Sequence, residues 1–415
     1  MALGLCRVHL NVLYGAIGWK RRCLYLLPTK LSKLRQPGHV TLMSTVPTGL
    51  NLVEDRASAA AERAIAEFRA ARPVVLRGGD QALVAVGVEG LEAGLAERLD
   101  RLAGDPARLI LPAARLRHLG LDRLVSGIVA LPTVDLGRIE TLALKVDARI
   151  DAPVGPTSTL DDVALELAHL ALVFPAVVAV QIDPALASDL GALVVAAKDV
   201  RSFKRRKVDD LHVVSRAPVP LDGAPETEFV IFRGGEGLRD QVAIIIGKPD
   251  LSGVVDVRLH SACLTGDLFG SLKCDCGDQL RDTVARMAKG QGGVLLYLDQ
   301  EGRGNGIANK MKAYRLQSQG YDTYDADEVL GFDLDQRRFE FAAAMLRQLG
   351  VSSVRLITNN PVKIAALREA GLTVAEQRVL GRATAENVRY LASKRDRAGH
   401  KIDFDALAAF AAPND

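Results

Sequence analysis

Val294-Leu-Leu-Tyr-Leu298 runs straight into Asp299-Gln-Glu-Gly-Arg303-Gly-Asn-Gly306. So short an apolar run, cut off by glycines, suits a buried strand better than a helix. A second such run, Val354-Arg-Leu-Ile-Thr358, is followed by Asn-Asn-Pro361 and a helical pattern over Val362–Ala370. Gly371 closes that helix where a left-handed cap is needed. Helical spacing also covers Phe339–Leu349, and strand signals occupy Glu228–Phe232 and Gln241–Ile246. Strand alternating with helix predicts a mixed α/β domain for the second half.

The same alternation is found upstream. Ala60, Ala64, Ile65 and Phe68 carry the spacing of an amphipathic helix, and Pro73–Leu76 reads as a strand ended by Gly78-Gly79. Leu109–Leu111 and Val177–Val180 are further strand-like runs, with a helical pattern over Leu160–Leu172 between them. The fold class expected is therefore α/β (α+β), with two mixed α/β domains. Lys204-Arg-Arg-Lys207, then Ala217-Pro-Val-Pro220 and Gly223-Ala-Pro225, place a linker at 216–227. No aromatic residue interleaves with the basic quartet, so it reads as a solvated segment and not as a nucleic-acid patch. Internal repeats and low-complexity tracts are absent.

The chain has 415 residues, 48% hydrophobic and 25% charged, which excludes wholesale disorder and fits two or three domains. No apolar run reaches the ~18 residues of a membrane span. The net charge of +3 is unevenly spread. Residues 1–53 hold seven basic side chains (Arg7, Lys20, Arg21, Arg22, Lys30, Lys33, Arg35) and no acid. Taking these seven from the 53 Lys and Arg leaves 46 against 50 Asp and Glu. A mildly acidic body argues against a nucleic-acid partner. The leader is no secretory signal, because Arg7, His9 and Asn11 break its apolar run. It reads either as an organelle-targeting segment, poor in Ser, or as a translation start placed upstream of a true start at Met43. The second reading is preferred, since periodic, acid-containing sequence begins just beyond Met43. In both cases residues 1–53 are expected to be disordered or weakly structured.

Cys263, Cys274 and Cys276 stand close together within Arg258-Leu-His-Ser-Ala-Cys263-Leu-Thr-Gly-Asp267 and Cys274-Asp-Cys276-Gly-Asp-Gln279. An odd cluster in a long chain fits a reducing, cytoplasmic setting with metal or catalytic thiols better than a disulfide framework. The three thiols can converge on one ion if Gly266 and Gly270 turn the chain back. Soft thiolates favour Zn²⁺ or an iron–sulfur cluster, and zinc is preferred. A fourth ligand would be water, His260, Asp275 or a distant group, and three metal-free buried thiols are the competing reading.

Glycines following a strand let backbone amides approach phosphate oxygens, although Gly302 to Gly306 match no dinucleotide or P-loop spacing. Arg303, Lys310, Lys312, Arg337 and Lys363 lie at or near loop–element junctions of this half, and several such cations would be needed to hold a triphosphate. Thr358-Asn-Asn-Pro361 joins a strand end to a helix start, where α/β sheets bind anions. Tyr314 reads as a packing residue that could orient a substrate hydroxyl. Asp335 and Arg337 share a face if extended, as a salt bridge or as a proton-handling pair.

Taken together, His260–Asp267, Cys274–Gly277, Gln300–Arg303, Gln319–Thr323 and Thr358–Pro361 resemble GTP cyclohydrolase II over roughly 228–402, in matching order, with 403–415 as a tail. The resemblance implies hydrolysis of GTP to formate, diphosphate and 2,5-diamino-6-ribosylamino-4(3H)-pyrimidinone 5′-phosphate, the first step of riboflavin biosynthesis. It implies Zn²⁺ on Cys263, Cys274 and Cys276, and Mg²⁺ on the GTP phosphates. Asp335, Arg337 and Tyr314 fall at the catalytic positions. Arg258, Leu259, His260, Ser261, Ala262, Gln279, Glu301, Gly302, Arg303, Thr323, Thr358 and Lys363 fall at GTP-binding positions. The family assigns Arg337 to attack on the α-phosphate, but a cationic guanidinium is a poor nucleophile, and a clamp on the triphosphate is the easier role. Ala262 stands where the family commonly has Glu. A homodimer is implied, and no nucleic-acid or membrane partner.

Residues 54–215 resemble 3,4-dihydroxy-2-butanone 4-phosphate synthase at Ala64-Ile-Ala-Glu-Phe-Arg-Ala-Ala-Arg-Pro-Val-Val75. The acidic metal-binding loop of that enzyme is replaced by Arg77-Gly-Gly-Asp80, and its Gly-His-Thr-Glu segment is missing. This half is expected to be a catalytically inactive relative kept for dimer contacts or stability. Two other readings of the whole chain stand beside the cyclohydrolase. One is a paralogue opening another purine or pyrimidine ring, against which the phosphate-binding candidates Arg303 and Lys363 count. The other is a non-catalytic zinc or nucleotide-binding regulator, against which the retained Asp335, Arg337, Tyr314 and cysteines count.

Overall fold

Two seven-stranded mixed sheets organise the chain in a computed structural model that describes residues 55–235, 239–332, 337–377 and 387–402. The first sheet is built from β1 (Val74–Gly78), β2 (Gln81–Gly87), β3 (Ala107–Leu111), β4 (Gly127–Leu131), β5 (Val154–Pro156), β6 (Val177–Ile182) and β7 (Leu193–Ala196). Its order is β5-β4-β3-β6-β2-β1-β7, antiparallel throughout except for the parallel β1–β7 pair. The second sheet uses β8 (His212–Pro218), β9 (Thr227–Arg233), β10 (Gln241–Ile246), β11 (Val254–Ser261), β12 (Gly293–Leu298), β13 (Ser353–Ile357) and β14 (Thr373–Gln377). Its order is β14-β13-β11-β12-β10-β9-β8. The first four strands in that order are parallel, and the rest are antiparallel. Both halves are therefore mixed α/β, as the periodicity predicts. The Val294–Leu298 run is the near-fully buried β12 at the centre.

The proline-rich stretch read as a linker is partly strand. Ala217 and Pro218 pair with Phe229 and Glu228, and Leu221 bridges Ala224 to close the turn. Proline is tolerated there because β8 is an edge strand. Lys204–Lys207 likewise lies within a helix, Ala197–Asp209.

The two sheets share a core. Helices Ile307–Gln317 and Thr323–Val329 leave the second sheet after β12 and press Ala313, Leu316, Val329 and Phe332 among Val84, Leu109 and Val178 of the first. Phe332 meets Phe174 edge-on, with ring centroids 6.3 Å apart. Asn309 donates to the Leu172 carbonyl at 3.2 Å, and Lys312 pairs with Glu89. At this seam Arg115 is fully buried. It donates to the carbonyls of Leu142 (2.8 Å), Lys145 (2.6 Å) and Val329 (2.7 Å), at the ends of two helices. Helix C-termini carry partial negative charge, which offsets the cost of burying this cation. Burial still pulls its pKa down to about 10. Among the described residues no helix is long and apolar enough to cross a membrane.

Replacing Arg115 by Met strands several buried carbonyls at once. The Arg115→Met chain should lose about 3 kcal/mol of stability, seen as a lower urea midpoint. An unchanged midpoint would show that the seam does not depend on it.

Candidate functional site

Parallel pairing brings the carboxyl ends of β11, β12 and β13 to one edge, with Ser261 opposite Leu298 and Val257 opposite Leu356. The segments beyond those ends are Ala262-Cys263, Asp299–Arg303 and Thr358–Asn360, which carry much of the chemistry-bearing sequence. Along β11 the side chains alternate. Val257 and Leu259 enter the core, while Arg258 and His260 face the opposite side.

The three thiols converge there, with ligand atoms all within 4.8 Å of one another, and Cys263 Sγ lies 3.6 Å from Cys274 Sγ. Gly266 makes this possible. A Cβ at that position would stand 2.8 Å from Cys274 Sγ and 3.1 Å from Cys263 Sγ. The thiol set and this close-fitting glycine suit one soft ion with a further coordination position left over. Neither His260 nor Asp275 joins the cluster. His260 Nε2 is 3.0 Å from Asp267, and Asp275 accepts from Gln279 at 2.5 Å. Asp267 also accepts from the Cys263 amide (2.9 Å) and from Tyr297 Oη (3.0 Å), while Tyr297 stacks on His260. One carboxylate thus fixes the start of the thiol loop to β11 and β12.

Charge around the thiols is ordered in the same way. Lys310 Nζ reaches Glu301 at 2.7 Å and Cys263 Sγ at 3.2 Å. Hydrogen bonds from Cys274 and Cys276, then Lys310, hold the Cys263 thiol far below its usual range. Cys276 is pushed the other way, chiefly by its bond to Cys263. Burial works against the Lys310 charge, but Glu301 and Cys263 outweigh it and keep the ammonium above its ordinary range. Glu301 also accepts from the Leu264 amide at 2.6 Å, clamping the loop from its second side.

A cleft opens over the thiols. Of the residues expected at the site, Ser261, Ala262, Glu301, Gly302, Arg303, Tyr314, Thr323 and Arg337 line it together with the three cysteines. Arg303 lies on the Tyr324 ring, 4.3 Å from its centroid, and pairs with Asp327 at 2.9 Å. Burial raises the Tyr314 pKa. Arg258, Leu259, His260, Gln279, Thr358 and Lys363 do not line the cleft. Arg258 is buried between the Ile357 carbonyl (3.0 Å) and Gln279 (2.6 Å), with its pKa pulled to about 10 by desolvation. Lys363 Nζ donates to the Leu259 carbonyl at 2.7 Å, and Thr358 Oγ1 accepts from the Asn360 amide at 3.0 Å. Asp335 lies outside the described residues.

Two sequence expectations change. The amides of Gly304, Asn305 and Gly306 bond back to Gln300, Gly302 and Glu301, so they serve the turn itself and do not point at a ligand. Arg303 takes a left-handed φ of 58° within that turn, a conformation uncommon outside glycine. Lys312 leaves the set of phosphate candidates, because it pairs with Glu89 across the seam. Lys310, read from sequence as a phosphate candidate, and Gln300, part of the motif that carries the resemblance, line the cleft, and so do Lys273, Asn309 and Asp327, which sequence reading did not single out.

The sequence model of the GTP cyclohydrolase II family matches residues 212–379. A GTP cyclohydrolase-2 of Xylella fastidiosa is 44% identical over 352 residues, covering 83% of this chain and 88% of that protein. The chain belongs to the GTP cyclohydrolase II family. A GTP cyclohydrolase-2 of Azospirillum brasilense is 38% identical over 378 residues, 86% of this chain and 97% of its own. These relatives thus extend over the first half as well as the cyclohydrolase half. Among solved structures, a two-domain 3,4-dihydroxy-2-butanone 4-phosphate synthase from A. baumannii aligns over 77% of this chain and 99% of its own. At 17% identity and a TM-score of 0.31 that likeness carries no argument.

Gly266→Ala should force the thiols apart. We expect metal retention, read by competition with a chromogenic chelator, to fall by about tenfold or more. Retention equal to the parent would mean that the cluster does not depend on this close approach.

Proposed function

We propose that this chain hydrolyses GTP to formate, diphosphate and 2,5-diamino-6-ribosylamino-4(3H)-pyrimidinone 5′-phosphate, opening riboflavin biosynthesis. The observation that carries the reading is the convergence of three thiols beneath a cleft that also holds Arg303, Arg337 and Tyr314. Cys263, Cys274 and Cys276 would hold Zn²⁺. Bound there, the ion supplies a Lewis acid and a water of lowered pKa for attack at C8 of the guanine. Arg303 and Arg337 supply positive charge along the cleft for the triphosphate, and Mg²⁺ on the phosphates would share that task. Arg337 Nη1 lies 3.5 Å from Ser261 Oγ, close to the end of β11, where a clamp on phosphate suits it better than nucleophilic attack. The Tyr314 hydroxyl, kept protonated by burial, can donate to the reacting ring. Asp335 is assigned the base by resemblance.

Arg258, His260, Gln279, Thr358 and Lys363 take a supporting part in this reading. They brace β11 and the strand ends from below, and their predicted contact with GTP would require the cleft to deepen toward them. Ala262 lines the cleft through a small side chain at a position where the resemblance implies Glu. Reduced thiols and a nucleotide substrate go with a cytoplasmic setting. A homodimer is supported by Leu268, Phe269 and Leu272, which stand 69%, 73% and 66% exposed beside the thiols where a second copy would cover them.

Supplied with GTP, Zn²⁺ and Mg²⁺, the protein should release formate and diphosphate in equal amounts. Zinc-loaded protein releasing neither would refute the reading. Cys276→Ser should lose both metal retention and turnover. Arg337→Lys should keep its metal while kcat falls by about a hundredfold, since a point charge does not reproduce a bidentate clamp.

A further inference from the structure

A second, open cleft is lined by Arg338, the neighbour of Arg337. One wall is helix Ala197–Asp209 and the other is formed by Gly235, Arg338, Glu340 and Phe341. Lys198, Arg201, Lys204 and Arg205 line the helix wall, and Arg338 faces them. The basic quartet read from sequence as one solvated run therefore divides. Arg206 pairs with Asp199 and Lys207 with Glu62, so these two are structural. Lys204 and Arg205, with Lys198 and Arg201, make no ion pair with any described residue. Arg338 pairs with Glu340 at an exposed position. Asp209 and Glu340 line the same cleft, and Lys204, Arg201 and Arg338 are near enough to Glu166 to act on its carboxyl, so five cations stand against three acids. Val208 and Phe341 add apolar surface to the lining.

We propose that this cleft is a second anion site, separate from the thiol cleft, that binds a small molecule carrying two or more phosphate charges. Four cations on one helix face without an ion-pair partner among the described residues, opposed by an arginine whose acid partner is solvent-exposed, match a clustered polyanion. A single carboxylate would leave most of them unsatisfied. A nucleic acid fits less well, because the walls carry no aromatic platform beyond the buried Phe341. The site is also placed to be felt by the first cleft. Arg338 follows Arg337 directly, and Gln300, which lines the thiol cleft, donates to the Arg338 carbonyl at 2.5 Å and accepts from Ser261 at 3.3 Å.

Calorimetric titration of the full chain with inorganic diphosphate tests this without relying on turnover, and the helix variants identify the second site whether or not the thiol cleft also binds. Two classes of site are expected. Arg201→Gln/Arg205→Gln should weaken one class by about tenfold and leave the other unchanged, whereas Arg303→Gln should weaken only the other. Lys198→Glu, which alters an exposed helix position, should reproduce the first effect at an unchanged melting temperature. A single class of site abolished by Arg303→Gln, or two classes indifferent to the helix variants, would overturn the proposal. So would a single-stranded RNA oligomer that binds the helix cations far more tightly than diphosphate does, because the surface would then be built for a polymer.

Discussion

Parallel strands must finish at the same edge, and the site depends on that constraint. β11, β12 and β13 run side by side in one direction, so whatever follows each of them is delivered to a common rim. Cys263 follows the first, Glu301 and Arg303 the second, and Thr358 the third. No local signal in any of the three segments encodes this meeting. It arises because buried backbone must be paired and because the central run from Val294 to Leu298 has no polar face to turn toward water. Once the rim exists, Asp267 and Glu301 tie the thiol loop to it from two directions, through the Cys263 and Leu264 amides.

The cleft has a second wall that the parallel strands do not build. Helices Ile307–Gln317 and Thr323–Val329 supply Lys310, Tyr314 and Thr323 on one side while burying Ala313, Leu316 and Val329 against the first sheet on the other. An amphipathic helix needs an apolar surface to lie on, and here the first sheet provides it. Arg115 reinforces the contact by satisfying helix-end carbonyls from both halves. Whatever chemistry the first half has of its own, it covers the back of the helices that shape the site. This gives a physical reason for retaining it.

Much of this was legible from residue types. The strands at Gln241–Ile246 and Val294–Leu298, the helix closed by Gly371, and the thiol spacing were all readable, because each rests on short-range pattern or on turn chemistry. What stayed hidden was long-range. β8 could not be seen because its pairing with β9 spans a proline-rich turn, and prolines read locally as a linker. The antiparallel order of the first sheet is likewise set by pairing partners far apart in sequence. Arg258 and Lys363 look like any cations near a ligand loop, and only the fold shows their charges turned inward to carbonyls and an amide. The glycines after β12 misled in the opposite sense. Their freedom is used to close a turn whose amides are already occupied, so the charge at this point of the cleft comes from side chains, Arg303 and Lys310, each held in place by an acid, Asp327 and Glu301.

Net charge illustrates the same limit. The body beyond the basic leader carries slightly more acid than base, with 46 Lys and Arg against 50 Asp and Glu once the leader's seven are set aside from the total of 53. Yet many of those cations are cancelled locally. Arg108 is held by Asp161, Arg138 by Asp151, Arg206 by Asp199, Lys207 by Glu62 and Lys312 by Glu89. A field that attracts an anion depends on cations left without such partners and gathered between low-dielectric walls, and the total has little to do with it. A mildly acidic body can therefore present a cationic cleft, provided that pairing elsewhere absorbs its acids. Here the absorption is uneven along single elements. On helix Ala197–Asp209, neighbours one or two residues apart are sorted by helical geometry into a paired face and an open one. That sorting turns a run of four basic residues into a surface with direction.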